Sequence, residues 1–334
     1  MSWFIQTGDI HIGECRSLDD YLPRHKQVLT QIMDTAYNEG LPLLITGDVT
    51  HNKNTTHDER YLLFWWFGEI EKRKILTVVI AGNHDHLSGE VTQLDFFKYI
   101  PYQYIKVFTW HPGTHVIGDI GIIAIPWRGY TSEEIKRIVV EKLPQIEEQK
   151  YKVVMLHECI SGVKLDSNFL VTKGMAIPKI PEITYWAIGD IHKHQKGNVA
   201  NSYYSGAPCQ WKFDDSLPKG ILKVDLDHPG SPTLLPLTFK PLKTIHSVKE
   251  INEDAYYKLI GGYDEVIKAN REQMVVATDY DNEKERTTEY VKVGILDGLP
   301  EFLAEKGIEE SSQKRAVTWV TTLLKLGSDA EVAI

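Results

Sequence analysis

Cysteine is scarce in this sequence. Its three cysteines, Cys15, Cys159 and Cys209, lie far apart, are odd in number and form no C-x-x-C pair. The pattern therefore indicates neither a disulfide framework nor a thiolate zinc site. A reduced, cytoplasmic setting fits this cysteine usage.

Long hydrophobic runs are also missing. No uninterrupted apolar run approaches the ~20 residues that are needed to cross a bilayer. No charged-then-apolar leader precedes the first predicted strand. We therefore expect a cytoplasmic protein that has no membrane partner.

Positive charge is in deficit. The chain carries 37 Lys and Arg against 46 Asp and Glu, which gives a formal net charge of −9. This balance argues against generic nucleic-acid binding, because phosphate contacts normally need a basic surface. The objection weakens if several carboxylates hold divalent cations, since net charge says little about a metal-lined cleft.

Five apolar runs are each followed by polar residues of the types that bind metals. They cover residues 3–7, 42–46, 76–80, 152–156 and 184–188. A short β-branched run that stops at such residues predicts a buried strand with polar groups at its carboxyl end. One Gly-Asn-His sequence alone is ordinary turn chemistry. Residues of metal-binding types at the ends of five predicted strands indicate a ligand set.

The candidate ligands combine oxygen and nitrogen donors. They are Asp9, His11, Asp48, Asn83, His157, Asp190 and His192. A central carboxylate such as Asp48 can bridge two dications ~3.5–4 Å apart, which clamp the attacking and leaving oxygens of a displacement at phosphorus. The predicted chemistry is hydrolysis of a phosphate ester. From ligand hardness we expect two Mn²⁺ ions, with Mg²⁺, Fe and Zn²⁺ as alternatives.

Helical patterns alternate with these strands to about residue 227 and predict an α/β layered domain with its chemistry at strand carboxyl ends. The predicted helices cover about 29–37, with a stop at Gly40, 58–74, and a segment from the N-cap Thr131 to 143. Aromatic residues crowd the second helix. Core packing is a better interpretation of them than a base-stacking platform.

A Pro- and Gly-rich stretch at 227–232 predicts a domain boundary. Beyond it we expect extended structure at 234–248, a polar helix at 253–270 and a strand at 289–295. A last helix at 312–326 either packs on its own domain or docks to a partner. The predicted division is a catalytic domain at 1–227, a capping domain at 231–300 and a helical segment at 301–334.

The ordered blocks resemble those of the calcineurin-like metallophosphoesterase superfamily. That pattern is D-x-H, G-D, G-N-H-[DE], a lone His and G-H-x-H, and it is matched between residue 1 and about 227. The resemblance implies an α/β fold, a layered α/β/β/α sandwich, with a smaller C-terminal α+β capping domain.

Within that superfamily the chain is most similar to SbcD-type DNA double-strand-break repair nucleases. The Gly-Asp-Val-Thr-His block at 47–51 and the Tyr-Ser-Gly-Ala-Pro block at 204–208, followed by Phe213 and Lys219, carry this likeness. It implies Mn²⁺-dependent exonuclease activity on DNA ends and endonuclease activity on hairpins or single strands. It also implies an SMC-type ATPase partner similar to SbcC, and it leaves a homodimer open.

The same resemblance assigns roles to the candidate residues. Metal one would be held by Asp9, His11, Asp48 and His192, and metal two by Asp48, Asn83, His157 and Asp190. His84 would meet the scissile phosphate without binding a metal, with Asp85 holding its ring. His51 resembles a residue that helps to place the DNA end.

One residue departs from the family pattern. Asp190 stands where the family usually has the first His of G-H-x-H. We expect it to bind metal as a third anionic ligand, which would favour hard metals. His194 is a less suitable candidate for the missing ligand, because Gly189 fixes the alignment with G-H-x-H and places Asp190 at its first His.

Two other functions remain open. One is a phosphodiesterase that acts alone on small nucleotides, and the other is a non-catalytic subunit whose metals only stabilise its structure. Cleavage of oligonucleotides with Mn²⁺ separates the first from a nuclease. The effect of removing His84 separates the second from an enzyme.

Overall fold

Two six-stranded sheets form the centre of the fold. The computed structural model describes residues 2–18, 20–213, 215–251, 254–261 and 274–278. The chain divides into two compact units, Met1–Ala277 and Thr278–Ile334. Both six-stranded sheets belong to the first unit.

The first sheet has the strand order β14-β13-β1-β2-β3-β6, and the second has the order β11-β12-β10-β9-β8-β7. A two-stranded sheet pairs β4 with β5, and a three-stranded sheet has the order β15-β16-β17. The strands are β1 (Trp3–Thr7), β2 (Leu43–Ile45), β3 (Thr77–Ile80), β4 (His86–Ser88), β5 (Val91–Thr92), β6 (Ile105–Phe108), β7 (Gly113–Ile117), β8 (Ile120–Ile125), β9 (Tyr151–His157), β10 (Tyr185–Gly189), β11 (Gln195–Lys196), β12 (Ser202–Tyr204), β13 (Gly220–Asp225), β14 (Thr233–Pro236), β15 (Leu242–Ile245), β16 (Tyr256–Gly261) and β17 (Met274–Thr278).

Three α-helices cover the outer faces of the two sheets: α1 (Tyr21–Glu39), α2 (His57–Lys72) and α3 (Ser132–Lys142). The predicted stop of the first helix is confirmed, because Gly40 takes a left-handed conformation with φ 64° at its C-cap. The predicted N-cap Thr131 is also confirmed, since its side chain accepts from the amide of Glu134 in a capping box.

Alternation along the strands separates the apolar side chains into three layers. In β2, Leu43 and Ile45 pack with α1 and α2, whereas Leu44 packs between the two sheets. In β8, Ile122 lies between the sheets and Ile123 packs with α3. The order of layers is helices, sheet, sheet, helix, which confirms the expected α/β/β/α sandwich.

The aromatic residues of α2 serve mainly as core, as expected. Trp66 and Phe67 are fully buried against the first sheet. Tyr61 and Phe64 of the same helix remain exposed. Among the described residues, no helix combines the length and the apolarity that a membrane span needs.

The prediction of a polar helix at 253–270 is wrong for its described part, because Tyr256–Gly261 form strand β16, parallel to β15. Tyr257 and Leu259 alternate into a small core with Ile245, and this burial outweighs the local polarity that suggested a helix. The predicted strand at 289–295 and helix at 312–326 lie outside the described residues. The domain division at 227–231 stays a prediction; the first sheet itself includes β14, which pairs with β13.

Candidate metal centre

The candidate ligands meet where strands of both sheets end. Asp9, Asp48 and Asn83 follow β1, β2 and β3 of the first sheet, and these three strands are parallel. His157 ends β9 and Asp190 follows β10 of the second sheet, which are parallel to each other. Since parallel strands deliver their carboxyl ends to one edge, the two ligand sets face each other there.

Four of these side chains are carried by a strained backbone. Asp9, His11, Asp48 and Asp190 have φ values of 51°, 47°, 51° and 99°. Non-glycine residues rarely adopt this left-handed region, and each instance costs about 1–3 kcal/mol. The surrounding fold therefore holds these residues in place at the expense of stability, as is common at functional sites.

The first group of ligands surrounds His11. Its Nε2 atom lies 2.9 Å from Nε2 of His192 and 3.6 Å from Oδ2 of Asp48. The donor atoms of Asp9, His11 and His192 all lie within 4.8 Å of one another. This group matches the residues predicted for metal one.

The second group surrounds His157. Its Nδ1 donates to the carbonyl of Thr46 at 2.7 Å, so the Nε2 atom faces the cluster. Nε2 lies 3.0 Å from Oδ1 of Asn83, 3.4 Å from Oδ1 of Asp48 and 3.8 Å from Oδ1 of Asp190. Asp48 thus presents one carboxylate oxygen to each group, as the prediction of a bridging ligand requires.

Glycines allow this close approach. A Cβ at Gly82 would lie 2.1 Å from Oδ1 of Asp48, and one at Gly47 would lie 2.4 Å from Nδ1 of His157. Gly47 also has a φ of 97°, which favours glycine. Both positions must therefore lack a side chain for the ligands to meet.

Burial shapes the electrostatics of the cluster. It raises the pKa of Asp9 to about 7 against the attraction of His157. It also lowers the pKa of His192 to about 4 and that of His11 well below its usual value. His157 behaves differently: burial opposes its charge, but the carboxylate of Asp48 and its neighbours raise its pKa well above the usual range.

The donor set fits two divalent cations. Oδ2 of Asp9 and Nδ1 of His11 are buried and have no hydrogen-bond partner. Three carboxylates, those of Asp9, Asp48 and Asp190, lie together with few compensating charges, and unpaired buried anions are costly. Dications bound between the two groups would neutralise these carboxylates and use the lone pairs of the neutral imidazoles.

Asp190 joins the cluster in the place predicted for it. Its amide donates to Oδ1 of Asp9 at 3.0 Å, and its carboxylate faces His157. His194, the alternative ligand, instead has its Nδ1 3.0 Å from the carbonyl of Tyr204. The geometry favours Asp190 over His194 as the ligand.

His84 stands beside the first group. Its ring centroid lies 4.8 Å from that of His11, and its Nδ1 is 2.5 Å from the carbonyl of His51. The expectation that Asp85 holds this ring is wrong. The Asp85 carboxylate accepts from the amides of Gly82 and Thr50, because it closes the loops after β2 and β3 on each other.

His51 lies at the edge of the cluster. Its ring stacks on that of His84 with a centroid distance of 5.5 Å, and its Nδ1 lies 2.5 Å from Oε2 of Glu14. Sequence reasoning missed Glu14, which no motif marks. Its only signal is its position three residues after His11 in the same loop.

Three further residues support the ligand loops. The indole of Trp211 donates to the carbonyl of Asp9 at 2.8 Å, and the hydroxyl of Tyr204 donates to the carbonyl of Glu158 at 2.8 Å. Lys219 is buried and donates to the carbonyl of His192 at 2.8 Å. Tyr204 and Lys219 belong to the blocks that carry the SbcD-type likeness. In this structure their side chains hold the backbone of the ligand loops.

Comparison with known sequences then identifies the family. The sequence profile of the calcineurin-like phosphoesterase family matches residues 2–194, a range that includes every candidate ligand. The chain belongs to the calcineurin-like phosphoesterase family. This family implies hydrolysis of phosphoester bonds, on a fold that binds two divalent metal ions.

Two matched proteins share a quarter or less of their aligned residues with this chain. The chain is 24% identical over 216 residues to the uncharacterized metallophosphoesterase YhaO of Bacillus subtilis (strain 168), covering 58% of this chain and 49% of that protein. It thus spans about half the length of this curated relative. The solved structure of TT1561 of Thermus thermophilus is 10% identical, with 71% of this chain and 99% of that chain covered and a TM-score of 0.42.

Proposed function

We propose that this phosphoesterase is a Mn²⁺-dependent DNA nuclease that cleaves phosphodiester bonds. Its expected activities are exonuclease action on DNA ends and endonuclease action on hairpins or single strands. The observation that carries the proposal is the pair of imidazoles, His84 and His51, stacked at 5.5 Å beside the ligand groups. Two imidazoles beyond the ligands suit a substrate whose phosphate is flanked by two large groups.

Each ligand group would hold one ion. Metal one would be bound by Asp9, His11, Asp48 and His192, and metal two by Asp48, Asn83, His157 and Asp190. When bound, such ions supply positive charge to the phosphate oxygens and lower the pKa of a water molecule. We propose Mn²⁺ because hard carboxylate and amide oxygens are mixed with imidazoles.

His84 would act directly on the substrate. Because its Nδ1–H donates to the carbonyl of His51, the ring is fixed and its Nε2 is left for the scissile phosphate. From there Nε2 would stabilise developing negative charge or protonate the leaving oxygen. We propose that His51, held by Glu14 at 2.5 Å, helps to place the DNA end.

The partners follow from the same proposal. An SMC-type ATPase similar to SbcC would deliver DNA, and its expected docking helix at 312–326 lies outside the described residues. A second copy of the chain is a further proposed partner, supported by the exposed rings of Tyr61, Phe96 and Tyr99 on and near α2. Sedimentation of the chain alone and with a candidate ATPase tests both.

Digestion of an end-labelled DNA duplex and of a hairpin, with Mn²⁺ or with chelator, tests the function. We expect Mn²⁺-dependent cleavage, and we expect His84→Ala to lose about 10²- to 10⁴-fold in turnover while it still binds two Mn²⁺ ions. His228→Ala is a matched control, because the side chain of His228 is exposed and pairs with Asp225 away from the ligand groups.

The other outcomes identify the rival functions. Hydrolysis of bis(p-nitrophenyl) phosphate without any cleavage of DNA would point to a phosphodiesterase of small substrates and would overturn the nuclease proposal. A His84→Ala variant that matches the parent in every assay would indicate a non-catalytic subunit whose metals only stabilise the fold.

A further inference from the structure

A cavity of about 750 Å³ lies directly beside the metal centre. Its walls are the loop after β1, His51, residues 211–213, and one face of β15 and β16. His51 connects it to the centre, because the ring of His51 lies 5.6 Å from that of His11 between centroids. The cavity therefore begins one side chain away from the first ligand group.

Two lysines give this cavity a positive wall. Lys212 is exposed and Lys258 is half-buried, and within the described ranges neither ammonium forms an ion pair or a side-chain hydrogen bond. Arg16, which also lines the cavity, differs because Glu59 binds its guanidinium at 2.6 and 2.7 Å. The two lysines are thus the free cations of this wall.

The position of Lys258 follows from the alternation of β16. Tyr257 and Leu259 are buried in the small core with Ile245, so Lys258 points to the opposite face and into the cavity. On that face Tyr256 packs with Leu18, which itself lines the cavity. A half-buried ammonium without a counterion is costly, and an anionic ligand would remove that cost.

Lys212 lines two cavities. Besides the larger cavity, it lines a smaller cavity of about 250 Å³ together with Asp190 and His192. Lys212 is therefore shared by the two cavities. The carboxylate of Glu14 in the larger cavity is paired with His51 at 2.5 Å, and Lys212 adds only a longer-range attraction to it.

We propose that the larger cavity binds a second phosphate of the substrate, next to the phosphodiester that is cleaved, through Lys212 and Lys258. This inference rests on the proposed function and deepens it, because it requires a substrate with at least two phosphates. A nucleic acid strand and a terminally phosphorylated dinucleotide both satisfy that requirement. A simple diester does not.

Michaelis constants for four small substrates test the proposal: TpT, pTpT, TpTp and bis(p-nitrophenyl) phosphate, each with Mn²⁺. For the parent chain we expect one terminal phosphate to lower KM about tenfold relative to TpT, because charge-assisted hydrogen bonds are among the stronger ones. In Lys258→Ala and in Lys212→Ala we expect that advantage to fall below about twofold.

Two further variants control for indirect effects. Lys258→Arg keeps the positive charge and is expected to keep most of the phosphate advantage. Lys249→Ala removes an exposed lysine that follows β15 but does not line the cavity, and it is expected to keep the full advantage. Each ratio compares substrates within one variant, so differences in metal loading cancel.

Failure of the inference and failure of the proposed function are distinguishable. If TpT and DNA are cleaved but a terminal phosphate changes KM equally in the parent and both lysine variants, or not at all, the second-phosphate site is refuted and the nuclease proposal stands. If only bis(p-nitrophenyl) phosphate is cleaved, the nuclease proposal fails.

In that last case equilibrium binding decides the inference. The probe is fluorescein-labelled oligothymidylate with Ca²⁺ in place of Mn²⁺, followed by anisotropy at several salt concentrations. We expect the slope of log Kd against log salt to fall by about one in each lysine variant and to stay unchanged in Lys249→Ala. An unchanged slope in both lysine variants would refute the site.

Discussion

The Nε2 atoms of His11 and His192 lie 2.9 Å apart. Burial lowers the pKa of His192 to about 4 and the pKa of His11 well below its ordinary value, so both rings are neutral at neutral pH. Two neutral imidazoles whose Nε2 atoms converge beside the carboxylate of Asp48 form a site for a cation.

Divalent metal is therefore expected to stabilise the fold. At a free Mn²⁺ concentration of 100 times Kd, binding to the native state adds about 2.7 kcal/mol per ion to the free energy of unfolding. Thermal unfolding followed by circular dichroism, with Mn²⁺ and with chelator, measures this gain. His11→Ala should lose a large part of it. Identical midpoints under both conditions would contradict a metal centre.

Gly82→Ala is expected to abolish high-affinity metal binding. The added Cβ would lie 2.1 Å from Oδ1 of Asp48 and would displace the carboxylate shared by both groups. Isothermal titration with Mn²⁺ measures the loss. Gly68→Ala in α2 is the matched control: nothing lies within 4 Å of its Cβ, so it should bind metal normally and gain about 0.5–1 kcal/mol in stability.

Asp190→His is expected to change metal preference. It replaces one of three clustered carboxylates by a neutral imidazole, so the centre should favour Zn²⁺ over Mn²⁺ more than the parent does. Activity on bis(p-nitrophenyl) phosphate across Mn²⁺, Mg²⁺ and Zn²⁺ measures the preference. His194→Ala should keep the parent's profile, since His194 bonds to the carbonyl of Tyr204. An unchanged order of metals in Asp190→His would count against this role.

The free energy of unfolding is expected to decrease as the pH falls below neutral, because of His25. This ring is fully buried against Trp211, with a centroid distance of 4.4 Å, and burial lowers its pKa from 6.5 to about 4. Its contribution is complete above pH 6.5 and declines as the pH falls toward 4, because only the unfolded chain takes up the proton. The difference between the two pKa values, from 6.5 to about 4, corresponds to roughly 3 kcal/mol.

Urea unfolding between pH 8 and pH 5, with chelator present, measures this loss. His25→Gln removes the titrating group while keeping an acceptor for the amide of Gly13, which lies 3.3 Å from Nε2 of His25. The variant should lose less stability than the parent over the same pH range. Parallel curves for the two proteins would rule His25 out as the source.

Repeated strand ends made the centre predictable from sequence. Each candidate ligand follows an apolar run, and parallel strands bring their carboxyl ends to one edge of a sheet. Asp48 could therefore be placed beside Asn83, and His157 beside Asp190, without coordinates. The prediction for Asp85 is wrong because residues adjacent in sequence, such as His84 and Asp85, need not have side chains that contact each other. The partners of the Asp85 carboxylate are the amides of Thr50 and Gly82, on loops that meet only after folding.

Long-range contacts also explain the other misses. Trp211 reaches the carbonyl of Asp9 across 202 residues, and no local pattern announces such a contact. The polar residues around β16 favour a helix when the sequence is considered alone, whereas the structure has a strand there. Its alternating burial beside β15 is a tertiary effect that sequence periodicity over six residues does not reveal.

The division of the ligands between two sheets has a kinetic consequence. Asp48 and Asn83 follow strands of one sheet, and His157 ends a strand of the other. Separation of the two sheets would therefore remove some of the ligands from any bound ion. The ions can engage fully only after the sheets have docked. Bound metal is therefore expected to lower the unfolding rate constant and so lengthen the lifetime of the folded protein, with little effect on the folding rate constant.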